Sequence, residues 1–89
     1  MEASRAYNDF AAERVRAHLK HGSGSTEGRD WDSPLFVTIV GEEFGELCKA
    51  KNEFALGNIT SEQLRVELRK EAIQTGAMLA SWIDSLDAL

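Results

Sequence analysis

Apolar residues along this chain recur at steps of three and four, and no segment shows the strict two-step alternation of a half-buried strand. The stretch "SRAYNDFAAERVRAHLK" places Tyr7, Phe10, Ala11, Val15, then His18 and Leu19 at those steps. It predicts a first helix over about residues 4–20. The Gly- and Ser-rich segment "HGSGSTEGRDWD" that follows reads as a loop over 21–33. Ser33 and Pro34 then supply a hydroxyl cap and a proline suited to the first helical position. This second helix runs over about 34–56 and ends at Gly57-Asn58, where glycine suits the left-handed C-terminal position. Thr60, with Gln63 three residues on, forms a capping-box pattern that opens a third helix over about 60–86. Gly76 lies inside that helix at a cost of about 1 kcal/mol relative to Ala. A residue that small allows another helix to come close. The expected class is all-α: one domain over 1–89, a three-helix protomer.

Turned at about 100° per residue, the second helix gathers Phe36, Ile39, Val40, Phe44, Leu47 and Phe54 into one apolar arc. Glu43 falls inside that arc, and Glu46 lies at its edge. Glu42 and Glu53 lie toward the polar side. The third helix repeats the arrangement. Its arc holds Leu64, Leu68, Ala72, Met78, Leu79, Trp82 and Leu86, with Glu71 inside and Gln74 at the edge. Each of two helices therefore carries an inward glutamate followed three residues later by a second oxygen-bearing side chain. Carboxylates are almost never buried unpaired, because their charge leaves water at high cost.

Three readings compete for these acids. Glu42, Glu53 and Glu67 suit an ordinary solvated helix face. An internal ion pair would need a cation on the same stripe, whereas Arg65, Arg69, Lys70, Lys49 and Lys51 are expected to point off it. The third reading is a metal site built between facing helices. Oxygen-only ligands favour Mg²⁺ or Mn²⁺. His18 and His21 form no Glu-x-x-His dyad, which argues against a di-iron bundle and against zinc.

Composition narrows the partners. A net charge of −5 argues against a DNA or RNA polymer, while a small anion remains compatible if a cation mediates. No apolar run is long enough to span a bilayer. The single cysteine fits a reducing compartment, and the expected location is cytoplasmic. Cys48 reads as a small buried hydrophobe, and Phe36, Phe54, Met78 and Trp82 as core. A chain of 89 residues is marginal alone. The strip Val66, Ile73 and Ala77 would stay wet in a lone protomer, so self-association is expected.

"GEEFGE" followed by "EAIQ" resembles the MazG-like, all-α nucleoside triphosphate pyrophosphohydrolases, whose signature is Glu-Glu-x-x-Glu and then Glu-x-x-Asp. Glu42, Glu43 and Glu46 fill the first half and Glu71 begins the second. Gln74 stands where the pattern has Asp. Its amide oxygen can ligate Mg²⁺ but neutralises less charge. "AAERVRAHLKHG", "DSPLF" and "EAIQTGAMLASWIDSL" extend the likeness toward a compact phage and actinobacterial branch.

The resemblance implies a bundle completed as a homodimer or homotetramer. It also implies Mg²⁺ or Mn²⁺ on Glu43, Glu46, Glu71 and Gln74, and hydrolysis of a nucleoside triphosphate to monophosphate and pyrophosphate. Glu42 or Glu46 would position the attacking water. Lys20, Arg14 and Lys49 are candidates for the phosphates against a first reading as plain surface charges, and Trp31 either stacks on a base or covers the end of the core. The rival expectation is a non-catalytic helical interaction module that carries a degenerate acid cluster.

Overall fold

The computed structural model describes residues 4–22 and 25–88. Those residues form α1 (Arg5–His21), α2 (Pro34–Ala55) and α3 (Ser61–Asp87), with no strand among them. Each boundary lies within one residue of its expected place, because each is set by local chemistry. Ser4 caps α1, its hydroxyl accepting the Tyr7 N–H at 3.4 Å. Ser33 accepts the Leu35 N–H at 3.3 Å ahead of Pro34. Gly57 takes φ +80° and closes α2, donating to the Phe54 carbonyl at 3.0 Å. The Thr60–Gln63 capping box is complete in both directions, at 2.8 and 3.1 Å.

The helix α3 is the spine. Helices α1 and α2 each pack on it and make no close backbone contact with one another among the described residues. α2 runs antiparallel to α3, since Phe36 at its start stacks on Trp82 near the end of α3, centroids 5.6 Å apart. Phe36 is fully buried, which contributes roughly 1.5–3 kcal/mol. α1 runs parallel to α3: Asp9 pairs with Arg69, Phe10 lies over Gly76, and Arg14 reaches Asp84. A Cβ at Gly76 would stand 2.5 Å from the Phe10 ring, so the small residue does permit the close approach expected of it.

The 21–33 segment is irregular from Ser25 onward, as expected, but it is not loose. Ser25 and Thr26 are buried. Thr26 donates to the Met78 sulfur at 3.4 Å, and Trp82 Nε1–H donates to the Trp31 carbonyl at 2.7 Å. Ser85 donates to the Arg29 carbonyl at 2.7 Å. Arg14 grips Glu27 with two bonds, at 2.7 and 2.9 Å, and Asp84 with a third at 2.6 Å. Those bonds hold its guanidinium well above its ordinary pKa. Arg14, a candidate for the phosphates, is thus a structural clasp between loop and helices.

The core is smaller than the apolar arcs implied. Phe36, Leu64, Ala77 and Met78 are buried, but Phe44 is 62% exposed and Phe54 37%. Cys48 is exposed rather than buried. Leu79 and Leu86 are also open to solvent, as are Tyr7, Val15 and Leu19 on α1. The reason is geometric: with α1 and α2 apart, only the faces turned to α3 are covered. Conversely, α1 covers the part of the Val66–Ile73–Ala77 strip that was expected to be wet. Ala77 is fully buried and Val66 alone stays well exposed. No helix among the described residues is long and apolar enough to cross a membrane.

Candidate functional site

Where α1 and α2 diverge above α3 they leave a groove of about 230 Å³. Glu42, Glu43 and Ile39 of α2 form one wall, Glu13, Arg16 and Lys20 of α1 the other. Gln74 and Met78 of α3 lie between them. Beneath this opening Glu71 is only 5% exposed, on the stripe of α3 that also carries Leu64 and Met78.

Glu43, Glu71 and Gln74 meet across the α2–α3 interface. With its amide nitrogen turned to the acids, Gln74 donates to Glu71 Oε2 at 3.0 Å and to Glu43 Oε2 at 2.7 Å. Burial pushes the Glu43 carboxyl up to about 7, and its hydrogen bond with Glu71 adds to the effect. The negative charges of Glu71, Glu13 and Glu42 push the same way. A hydrogen bond between two carboxyl groups needs a proton on one of them, and Glu43 is the one raised to hold it. The convergence of inward acids predicted from the two arcs is therefore present.

Other expected residues stand elsewhere. Glu42 lines the groove but is exposed. Glu46 is exposed and outside the lining, one helical turn beyond Glu43. Lys20 lines the groove, whereas Lys49 is exposed and outside it. Trp31 lies by Arg29 and Ser85 in a separate depression at the far end of α3, so it covers that end of the helix and does not face the acids. Lys70, expected to point away, brings its Nζ to 3.9 Å from Glu71 Oε1 because its long side chain bends back along α3.

Two residues escaped the sequence reading. Glu13 shares a helix face with Phe10 and Ala17, so the angular argument that exposed Glu43 and Glu71 would have exposed it too. Arg16 faces the acids from α1 and is bound to Glu13. Both depend on how α1 is placed, which the sequence does not state locally.

The donor set is two carboxylates and an amide oxygen. Among the described residues, no three His, Cys, Asp or Glu side chains converge on one point. Mg²⁺ commonly binds through one or two carboxylates and takes its remaining ligands from water and substrate phosphates. The acids present fit that mode, and the concentration of negative charge that holds a proton on Glu43 is the kind a cation relieves. Comparison with protein-family profiles, curated proteins and solved structures finds no match for this chain.

Proposed function

We propose that this protein is a MazG-like, metal-dependent nucleoside triphosphate pyrophosphohydrolase that converts (d)NTP to (d)NMP and pyrophosphate. The observation that carries the reading is the meeting of buried Glu71 with Glu43 and Gln74, the last two lining a groove whose opposite wall bears Arg16 and Lys20. Acids on α2 and α3 facing the cations Arg16 and Lys20 of α1 suit a phosphate chain accompanied by a hard cation.

Glu43, Glu71 and the Gln74 amide oxygen would hold Mg²⁺ or Mn²⁺, with Glu46 joining from the rim. Bound there, the ion supplies Lewis acidity toward phosphoryl oxygens. The chain's own residues do the placing. Gln74 must turn its amide, so that the oxygen replaces the nitrogen toward the acids. Glu43 must release its proton, which its raised pKa permits near neutral pH. Glu42, on the exposed wall of the groove, would orient a water at the phosphorus, and Lys20, on the opposite wall, would neutralise the phosphates. Catalysis of this kind is mainly positioning and charge neutralisation.

Self-association accompanies the reading. The accessible surface is 6290 Å², whereas a compact 9.9 kDa monomer exposes about 5,200 Å². The excess is of the order that one partner buries in a standard interface, about 800 Å². The radius of gyration, 14.4 Å, likewise exceeds the roughly 12 Å of a compact chain this long. Val37, Phe44 and Cys48 fall on one exposed stripe of α2, and Leu79, Ile83 and Leu86 on α3, a surface suited to a second copy.

One observation favours the non-catalytic alternative. Gln74 and Lys70 between them already partner both acids, and no buried side-chain polar atom among the described residues lacks a hydrogen bond. The deciding experiment is a screen of the common NTPs and dNTPs for pyrophosphate release with Mg²⁺ or Mn²⁺. Release is expected, and Glu71→Gln should reduce it at least about 100-fold, the scale of losing a preorganised charged group. No release by protein that binds the metal overturns the enzyme reading.

A further inference from the structure

The α1 wall of the groove is built around a pair whose members differ in freedom. The Arg16 guanidinium donates through Nε to Glu13 Oε2 at 2.7 Å, and through Nη2 to the other carboxylate oxygen. The Glu13 side chain is 12% exposed and that of Arg16 51%. Glu13 is thus the member fixed against the protein, and Arg16 the member facing open space. Its Nε–Nη2 edge is occupied by a group of the shape and charge it also recognises in phosphate, while Nη1 takes no part in the Glu13 pair. Lys20, one turn on, lines the same wall and makes no salt bridge among the described residues.

We infer that Arg16 is a phosphate clamp kept in reserve by Glu13. A polyphosphate entering the groove takes the place of the Glu13 carboxylate on the guanidinium fork, and Lys20 supplies a second cation one turn away. The inference rests on the reading of the groove as a polyphosphate site. It adds which residue grips the chain and what it must release first. The exchange conserves hydrogen bonds on Arg16, one bidentate acceptor replacing another. Charge then decides it: a polyphosphate brings several negative charges where Glu13 brings one, so longer phosphate chains displace the carboxylate better than a monophosphate does. Glu13 also adds its charge to the field at Glu43, so the displaced carboxylate stays beside the acids. There it adds to the negative charge available to a cation that travels with the phosphates.

The test is calorimetric titration of the intact protein with inorganic triphosphate in the presence of Mg²⁺, with circular dichroism as the folding control. Arg16→Ala should lose about 10- to 100-fold in affinity, the scale of a bidentate charge-assisted contact. Arg16→Lys should recover only part of this, because an ammonium cannot fork. Glu13→Gln should bind several-fold more tightly, and that gain should vanish when Arg16→Ala is added. Unchanged affinity in Arg16→Ala, weaker binding in folded Glu13→Gln, or no binding by the wild type would each overturn the inference. Hydrolysis of nucleotides with an affinity indifferent to Arg16 defeats the clamp and leaves the hydrolase standing. Arg16-dependent triphosphate binding without hydrolysis does the reverse.

Discussion

The C-terminal end of α3 and its middle are organised on opposite principles. Toward Trp82, polar and aromatic groups have found complements. Phe36 stacks flat on the indole, the 25–31 loop hangs its carbonyls on Trp82 and Ser85, and Arg14 is saturated by two acids. Toward Glu71, like charges are brought together, and burial with the neighbouring acids pushes the Glu43 carboxyl up. Cohesion is concentrated at the C-terminal end and electrostatic conflict at mid-helix. Conflict that persists inside a fold is a common mark of a site kept for chemistry. The contrast is therefore the physical argument that the acids are more than a solvated face.

Three measurements would sharpen or break that contrast. The largest effect belongs to the Trp82 end. Phe36→Ala should cost about 3–5 kcal/mol, enough to unfold a marginal domain, read from urea denaturation. A loss below about 1 kcal/mol would mean that the stack does not anchor the fold. Arg14→Ala should come next, at about 1–3 kcal/mol, because it leaves Glu27 and Asp84 without their shared partner. Its signature should be early proteolysis of the 25–31 segment.

The smallest effect carries the opposite sign and belongs to the acids at mid-helix. The pKa of Glu43 is raised on folding, so the native state holds a proton that the unfolded chain gives up. Stability is full below about 4.5 and falls as pH rises toward about 7. Solvent on the open side of the group screens it, which limits the loss to roughly 1 kcal/mol. Glu43→Gln should flatten this slope and raise the melting midpoint at pH 7.5. Added Mn²⁺ should stabilise the wild type increasingly over the same pH window, because the metal competes with the proton. A midpoint that climbs from pH 5 to 7.5 without metal would show that no strained acid pair exists.

How much of this was legible in the sequence follows the range of each signal. Helix limits were readable because Ser33-Pro34, Gly57 and Thr60–Gln63 act on their own neighbours. The inward turn of Glu43 and Glu71 was readable because a helix fixes angle from spacing alone. What lay hidden depended on which helix covers which face. Phe44 and Phe54 looked as apolar as Phe36, yet α1 settled against Ile73 and Ala77 and left the α2 stripe open. Arg16 and Glu13 were passed over because α1 was read for its apolar positions only. Lys70 misled for another reason: a long flexible side chain does not follow the direction of its Cα.

The contact between Phe10 and Gly76 has a consequence at a distance. One missing carbon lets an aromatic ring rest on the backbone of α3, so the thickness of that ring sets how far α1 stands off. Arg16 and Lys20 ride on the same rigid rod. A methyl at position 76 would meet the Phe10 ring, and wherever α1 rather than the ring gives way, both cations are carried from the acids without being touched. The width of the cleft is thus gauged from outside it, by a glycine with no chemistry of its own.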